Sequence, residues 1–357
     1  MNIGLDYRTT TPPKTGVFSV TQTLATELTA RGHAVSYPRP SIPFRLQNAL
    51  WPSALRRLAP IDRGVSLDIY HHLWPFGALP HTKHAKRIFT IHDIIPLHET
   101  SRTAFSQRQI RQFRHWVKDG IERADQVHFI SEFTKHDVLN HYDIADNPTK
   151  FSVAHLGVSH DYVTSSSLLK AKLPHELTSI ESTLIHNKKT LMEGFFFLLA
   201  SHLPHKNIQA VIDAYDETFP PLIIAGSDTN TLTTTKRNIV FTGYIEQPTI
   251  LWLYDNALGF IFPSLHEGFG LPVIEAMMRG CPVIASSSTS IQEIAGNAAL
   301  LIDAREPEAI THAINELLLS SELQDKLRTA GIVHAQQFTP HAFGDRMLAL
   351  YQRALAV

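Results

Sequence analysis

Short apolar runs of strand length alternate with amphipathic stretches of helix length along almost the whole chain. This alternation constrains the fold more than any other feature, because strands separated by helices pair in parallel and are covered on both faces. We therefore predict an α/β protein with two doubly wound parallel sheets, one in each half. The predicted strands are 3–7, 34–38, 68–72, 87–93, 126–131, 151–157, 194–200, 221–226, 239–243, 259–263, 282–286 and 299–303.

A polar stretch at residues 163–190 separates the two halves. It contains three consecutive serines and has no clear hydrophobic period, so we interpret it as an interdomain connection with one short helix. A chain of 357 residues is long enough for two domains. We predict domains at 1–165 and 191–340, a linker at 166–190 and a final helical segment at 341–357.

The composition excludes several classes of function. The net charge of −1 gives no argument for a nucleic-acid partner. The single cysteine, Cys281, excludes an internal disulfide and a cysteine-based zinc site, and it suits a reducing cytosol. Met1 leads directly into a predicted strand, which argues against a signal peptide. No apolar run reaches the roughly 18 residues needed to cross a bilayer, so we expect a cytoplasmic protein.

The most informative segment is SLHEGFGLPVIEA at residues 264–276, where a glycine-rich turn joins a predicted strand to a predicted helix. Such a turn offers free main-chain N–H groups and the positive end of the helix dipole, which together suit a phosphate or diphosphate. Glu267 and Glu275 flank the turn. Carboxylates are unsuited to phosphate, but each can accept hydrogen bonds from two neighbouring sugar hydroxyls. The segment therefore predicts a site for a nucleotide sugar.

This segment and its continuation at 280–303 resemble the donor signature of the retaining GT-B glycosyltransferases, the large glycosyl transferases group 1 family. The family contains sucrose synthase and many bacterial lipopolysaccharide and exopolysaccharide transferases. The resemblance implies the GT-B fold, in which two Rossmann-like domains face a central cleft. It also implies that the first domain binds the acceptor, that the second binds the nucleotide sugar, and that the segment 341–357 crosses back to the first.

Further donor-binding residues follow from this resemblance. Lys206 matches the lysine that grips the donor diphosphate, whereas His205 and Ala200 stand where arginines are common. With Glu275 on the ribose, the predicted donor-binding set is Lys206, His205, Glu275, Gly268, Phe269, Gly270, Leu271, Gly16, Gly226, Gly243, Tyr244 and Ile245.

The catalytic residues implied by the resemblance are His92, Glu267 and Asp93. His92 and Asp93 end the predicted strand of the TIHD motif, and the resemblance places the histidine near the transferred sugar and β-phosphate. The alternative for His92 is a core histidine with satisfied hydrogen bonds. Asp93 either orients the acceptor hydroxyl or caps the following turn.

We expect a retaining hexosyltransferase that needs no metal and no cofactor. GDP-mannose is the first donor predicted, and a glycan or lipid-linked saccharide at the cell surface is the predicted acceptor. UDP-glucose and UDP-N-acetylhexosamine stay open as donors. Two further hypotheses are an inactive GT-B module that binds nucleotide or glycan, and a sugar-nucleotide epimerase of similar fold.

Two basic amphipathic stretches are candidates for contact with an anionic membrane surface, which would make the protein peripheral on the inner face of the membrane. The first covers residues 38–60. The second covers residues 102–123, where basic and apolar side chains recur at helical spacing; they are Arg108, Arg111, Arg114 and Lys118, with Phe113, Trp116 and Val117. The alternative is an ordinary helix whose apolar side faces the core.

Overall fold

The computed structural model describes residues 1–6, 16–38, 61–62, 64–73, 77, 79–99, 104–163, 173–186 and 190–356. The chain divides into two compact units, Met1–Ser159 with Phe338–Val357, and His160–Gln337. The first change of unit thus comes six residues before the boundary expected at 165. The reason is local, because Tyr162 packs its ring against Tyr254 of the second unit at a centroid distance of 6.2 Å.

Twelve strands and twelve α-helices are numbered in chain order over the described residues. The strands are β1 (Asn2–Leu5), β2 (Ala34–Ser36), β3 (Ile69–His72), β4 (Lys86–Ile91), β5 (Gln126–Phe129), β6 (Phe151–Val153), β7 (Phe196–Leu199), β8 (Leu222–Ala225), β9 (Ile239–Gly243), β10 (Gly259–Phe262), β11 (Val283–Ser286) and β12 (Leu300–Ile302). The α-helices are α1 (Gly16–Ala30), α2 (Gln107–Arg123), α3 (Glu132–Tyr142), α4 (His160–Val163), α5 (Thr178–His186), α6 (Ile208–Ala214), α7 (Gln247–Asn256), α8 (Leu271–Met278), α9 (Ser290–Ala295), α10 (Pro307–Leu319), α11 (Ser321–Ala335) and α12 (Pro340–Ala356).

Each unit contains one parallel sheet, and every strand predicted from the sequence is present. The strand order is β2-β1-β3-β4-β5-β6 in the first unit and β12-β11-β10-β7-β8-β9 in the second, as far as the described residues extend. All the pairings between neighbouring strands are parallel. Strands β3, β5, β8 and β10 are buried along their whole length, as expected for a sheet covered on both faces. The prediction of two doubly wound parallel sheets is confirmed.

The last helix, α12, belongs to the first unit and packs against α1. Arg31 at the end of α1 holds the two helices together. Its guanidinium donates to the carboxylate of Glu27 within α1, and to Asp345 Oδ1 and the carbonyl oxygen of His341 on α12, both at 2.9 Å. These contacts hold α12 against α1 within the first unit.

A chain of hydrogen bonds crosses the buried interior of the first unit. His128 Nε2 lies 2.7 Å from the carbonyl oxygen of Ala154, and its Nδ1 lies 2.9 Å from Thr90 Oγ1. His71 joins the other side of Thr90 at 2.6 Å through Nε2, and it reaches the Tyr351 hydroxyl of α12 at 2.8 Å through Nδ1. This series of hydrogen bonds therefore links the neighbouring strands β3, β4 and β5 to the last helix, α12.

The donor and the acceptor of each hydrogen bond in this series follow from the chemistry of the groups. A carbonyl oxygen only accepts, so His128 donates through Nε2, and burial lowers the pKa of His128 to about 4 and leaves its Nδ1 as an acceptor. Thr90 must then donate to His128 and accept from Nε2 of His71. Burial also holds the pKa of His71 well below its usual range, so its Nδ1 accepts from Tyr351. All groups are satisfied without a charge.

Helix α2 corrects one expectation about the membrane. Phe113 and Val117, which were grouped with the basic residues as a membrane-binding face, are buried in the core of the first unit. They therefore cannot insert into a bilayer. For these two residues the alternative interpretation, a helix whose apolar side faces the core, is confirmed. Trp116 is half-buried. The exposed side of α2 is basic and carries Arg108, Arg111, Arg114 and Lys118.

The other candidate membrane stretch lies almost wholly outside the described residues, which resume after 38 at 61. Among the helices that are described, none combines the length and apolar character required to span a bilayer.

The buried histidines predict how stability depends on pH. An unfolded histidine binds a proton near pH 6.5, whereas burial lowers the pKa of His128 to about 4 in the folded chain. The unfolded state therefore binds more protons between these values, so stability is fully present above pH 6.5 and is lost as the pH falls towards 4. A buried histidine with this pKa shift lowers the free energy of unfolding by up to roughly 3 kcal/mol at pH 4.

We expect His128→Asn to reduce the slope of unfolding free energy against pH, measured by urea denaturation between pH 7 and pH 5. The matched control is His312→Asn, which removes an exposed histidine on α10. A slope unchanged in the His128 variant would contradict the assignment of a neutral buried imidazole.

Candidate functional site

The second sheet reverses its direction of growth between β7 and β10. The chain adds β8 and β9 on one side of β7 and then returns to add β10, β11 and β12 on the other. In open parallel sheets, ligands bind in the crevice outside the carboxyl ends of the strands at such a reversal. Two loops border this crevice: the loop after β7 carries Lys206, and the loop after β10 carries Glu267.

The glycine-rich turn between β10 and α8 has the geometry that the sequence predicts. Gly270 precedes α8 with a φ of +100°, a conformation that favours glycine, and a Cβ atom there would lie 2.4 Å from Cδ1 of Ile291. The helix begins at Leu271 immediately after the turn, so the positive end of its dipole lies beside Gly268 and the buried Phe269. The turn can therefore receive an anion.

Lys206 and Glu267 form an ion pair across this crevice. Lys206 Nζ donates to Glu267 Oε1 at 2.5 Å, and the two side chains are only 19% and 11% exposed. The ammonium also lies 5.7 Å from the centre of the Phe262 ring. The structure thus brings together two residues that are 61 positions apart and that were both predicted to contact the donor.

Hydrogen bonds from the main chain and from one side chain hold the Lys206 loop against neighbouring segments. The Leu265 N–H donates to the His205 carbonyl oxygen at 2.7 Å, which ties the Glu267 loop to the Lys206 loop. Asn207 adopts a left-handed conformation with φ of 55°, and its Nδ2 donates to the Ala304 carbonyl oxygen at 2.7 Å. No role was predicted for Asn207 from the sequence, because its partner lies 97 positions away.

His205 is buried beside Lys206 and carries no charge at neutral pH. Burial, helped by the positive charge of Lys206, lowers the pKa of His205 to about 4 although Glu267 acts in the opposite direction. The histidine therefore does not replace the positive charge of an arginine at this position. Lys206 is left as the cation of this loop.

Glu275 lies on α8 and faces two tyrosines. Burial raises the pKa of Glu275 to about 7, while hydrogen bonds from Tyr162 and Tyr254 act to lower it. The Tyr254 hydroxyl lies 3.5 Å from Oε2 of this carboxylate. Neither tyrosine was predicted as a site residue, because α4 and α7 give no local signal that they meet at α8.

The ends of β8 and β9 place the other predicted donor residues side by side. The Gly226 N–H donates to the Gly243 carbonyl oxygen at 2.9 Å. Next to them, the Tyr244 side chain is 54% exposed, and Ile245 is buried. Gly226 has a φ of +132°, and a Cβ atom there would lie 2.0 Å from the Ala200 carbonyl oxygen. Close approach of the backbones thus requires glycine at position 226.

The first unit contains His92 at the carboxyl end of β4. Its Nε2 lies 2.9 Å from the Leu73 carbonyl oxygen and must donate to it. Burial lowers the pKa of His92 to about 4, against the effect of this hydrogen bond. The neutral ring therefore keeps Nδ1 as an acceptor, so it can receive a hydrogen bond from a hydroxyl but has no proton left for a phosphate.

The structure places Asp93 and Gly16 in local contexts. Asp93 Oδ1 accepts from the Ile95 N–H at 3.0 Å, next to the 3₁₀ turn Ile95–Leu97. Gly16 is exposed and is the first residue of α1.

Two family models match the chain in succession. Glycosyltransferase Family 4 matches residues 14–162, and Glycosyl transferases group 1 matches residues 182–334. The chain belongs to the glycosyl transferases group 1 family. The second match contains Lys206, Glu267 and Glu275, so the crevice described above lies in the part of the chain that the family model covers.

Several sequence relatives of this group 1 glycosyltransferase are mannosyltransferases. It is 26% identical over 287 residues to O-antigen chain mannosyltransferase B of Escherichia coli, covering 76% of this chain and 70% of that protein. It is 26% identical over 272 residues to the serotype-specific mannosyltransferase WbdA of the same species. That match covers 71% of this chain but only 32% of WbdA.

Solved structures establish the GT-B fold. Sucrose-phosphate synthase from Thermosynechococcus elongatus superposes with a TM-score of 0.72 and 18% identity, over 100% of this chain and 99% of that chain. HepE from Anabaena in complex with UDP-glucose superposes with a TM-score of 0.68 and 15% identity, over 99% of both chains.

Gly226 provides a test of the sheet geometry in this group 1 glycosyltransferase. We expect Gly226→Ala to destabilise the second unit by more than about 3 kcal/mol, because strain at positive φ adds to a clash with main-chain atoms. Gly243→Ala is the matched control: its φ is +69° and no atom would lie closer than 3.4 Å to the new Cβ, so the cost is about 1–2 kcal/mol. Thermal unfolding measures both, and equal losses would contradict the close approach at Gly226.

Proposed function

We propose that this chain is a retaining, metal-independent hexosyltransferase that transfers a sugar from a nucleotide diphosphate sugar to a growing cell-surface glycan. The observation that carries this proposal is the meeting of Lys206 and Glu267 at the reversal of the second sheet, with Glu275 on the adjoining helix. One cation, one helix N-terminus and two carboxylates suit a sugar joined to a nucleoside diphosphate.

In this proposal Lys206 and the N-terminus of α8 bind the diphosphate. The lysine is now neutralised by Glu267, so the phosphate oxygens compete with that carboxylate for the ammonium. As Lys206 turns to the phosphate, Glu267 becomes able to accept hydrogen bonds from the sugar. The same cation and helix dipole stabilise the leaving diphosphate, which is why no metal ion is required.

Glu275 binds the ribose in this proposal. An ionised carboxylate can accept both ribose hydroxyls, whereas a protonated one can accept fewer. Because burial raises the pKa of Glu275 to about 7, nucleotide binding should strengthen as the pH rises through 7.

Mannose from GDP-mannose is the first donor that we propose, since the relatives above are mannosyltransferases. UDP-glucose is the second, since HepE binds it on the same fold. We further propose a lipid-linked saccharide as the acceptor and a peripheral position at an anionic membrane. The support is the exposed basic side of α2, which can bind anionic headgroups electrostatically without inserting apolar residues.

A panel of nucleotide sugars tests the function directly. The purified full chain is incubated with GDP-mannose, UDP-glucose and UDP-N-acetylglucosamine, and release of the nucleoside diphosphate is measured with and without EDTA. Parallel reactions contain anionic or neutral vesicles at low and high salt. We expect release from one donor, unchanged by EDTA. Binding of a nucleoside diphosphate without turnover of any donor would favour an inactive binding module instead.

Substitution of Glu275 should affect nucleotide binding, whereas substitution of Glu267 should affect transfer of the sugar. We expect Glu275→Ala to weaken nucleoside diphosphate binding by roughly 10- to 150-fold, the equivalent of a charged hydrogen bond of about 1.5–3 kcal/mol. Glu267→Gln should instead reduce turnover without weakening nucleoside diphosphate binding, because it removes the carboxylate that competes for Lys206. Calorimetry and steady-state rates measure these effects, with Glu316→Gln on the exposed side of α10 as the control. Equal losses of binding in both variants would contradict the division of roles.

His92 should matter for transfer rather than for capture of the nucleotide. We expect His92→Ala to keep nucleoside diphosphate affinity within a few-fold and to lose about 10²-fold in turnover, as for removal of one preorganised hydrogen-bonding group. His128→Asn is the control, because it removes another buried neutral histidine from the neighbouring strand. Turnover near the wild-type value would identify His92 as an ordinary core histidine.

A further inference from the structure

A serine-rich loop after β11 contacts the loop that carries Glu267. The contacting residues lie in SSSTS at 286–290, which begins at the last residue of β11 and ends at the first residue of α9. No step of the proposed reaction uses their side chains. Their hydroxyl groups nevertheless make hydrogen bonds to the main chain on both sides of Glu267.

Ser290 is the most buried member of this loop, with no exposed surface. Its single hydroxyl hydrogen is shared between the carbonyl oxygens of Glu267, at 2.9 Å from Oγ, and Phe269, at 3.1 Å. One hydroxyl thus spans Gly268 and fixes the carbonyl groups on either side of it. An alanine here would leave both oxygens without this donor in a buried place.

Thr289 holds the other main-chain group of Glu267. Its Oγ1 accepts from the Glu267 N–H at 3.2 Å. The threonine has a φ of 57° and a ψ of −142°, a strained conformation for a β-branched residue. A glycine would adopt this conformation without strain, but it would offer no acceptor to the Glu267 N–H.

Ser288 extends the contact to the start of the same loop. Its hydroxyl lies 3.2 Å from the carbonyl oxygens of both Ser264 and Leu265, and Ser286 Oγ lies 2.8 Å from it. The loop from Ser264 to Phe269 is therefore bound along its length by hydroxyl groups from one neighbouring segment.

We propose that Thr289 and Ser290 are positioning residues that fix the main chain of Glu267 so that its carboxylate meets Lys206 and the transferred sugar. The inference rests on the proposed function of Glu267. A glutamate on a glycine-rich turn has many conformations open to it, and a carboxylate used in transfer must be held close to its productive position. Two hydroxyl groups that bind both the N–H and the C=O of Glu267 remove that freedom.

The variants that test this are Ser290→Ala, Thr289→Gly and Thr289→Ser, with Ser287→Ala as the control. Ser287 lies in the same loop and is exposed. Turnover, nucleoside diphosphate affinity and thermal unfolding are measured for each. We expect Ser290→Ala and Thr289→Gly to lose roughly 10- to 100-fold in turnover, as for a small displacement of a reacting group. Their nucleoside diphosphate affinity should not fall by more than about three-fold, since that ligand lacks the sugar that Glu267 binds.

Thr289→Ser should keep wild-type turnover, because it retains the hydroxyl that accepts from Glu267. Ser287→Ala should also match the wild type. Thr289→Gly relieves backbone strain, so its loss of turnover should come without a lower unfolding midpoint. A loss of turnover that follows the unfolding midpoint across the series would overturn the inference, since it would indicate a merely structural role.

A double-mutant cycle with Glu267→Gln separates this inference from the proposed function. If Thr289 and Ser290 act through Glu267, Ser290→Ala should have no further effect on turnover in the Glu267→Gln background. Full additivity would overturn the inference. If Glu267→Gln alone has wild-type turnover, the proposed function of Glu267 fails; if it is impaired while Ser290→Ala and Thr289→Gly are normal, only the positioning role fails.

Discussion

Burial of both faces of a parallel sheet is the constraint on which the rest of this molecule depends. Polar side chains inside such a sheet must find partners. In the first unit, four of them form one uncharged series of hydrogen bonds that runs from Tyr351 through His71, Thr90 and His128 to the Ala154 carbonyl oxygen. Some charged groups lie at the carboxyl ends of the strands, where loops and helix N-termini can solvate them. In the second unit those groups include Lys206 and Glu267.

The ion pair between Lys206 and Glu267 gives the crevice a balanced charge. Because both side chains are mostly shielded from water, neither charge would be stable there alone. In the proposed function, a diphosphate that binds Lys206 would replace Glu267 as its partner, and the released carboxylate would become available to the sugar. Binding of the diphosphate and release of the Glu267 carboxylate would then be one event. The neutral His205 adds no charge that would compete for either group.

Much of the fold could be predicted because its signals are local. Each strand is a short apolar run between turn residues, and the turn before α8 shows its glycines and its helix start within a dozen residues. The predicted membrane face of α2 was wrong for Phe113 and Val117 for the same reason, since an amphipathic helix has the same pattern whether its apolar side meets lipid or a core. No sequence pattern marks residues such as Thr289, Ser290, Tyr162 and Tyr254. Hydroxyl groups in loops and tyrosines in helices are common in proteins, so their presence does not indicate a contact.

The sequence by itself determined the α/β class and the order of the strands along the chain, and it predicted the residues that a donor would contact. Periodicity and glycine-rich turns depend on neighbours in the chain, so they can be recognised without the fold. Only the tertiary structure decided which strands are adjacent, that Lys206 meets Glu267, that His92 and His205 are neutral, and that hydroxyl groups after β11 hold the Glu267 loop. These properties depend on distance and burial between segments far apart in the chain, and no local pattern carries that information.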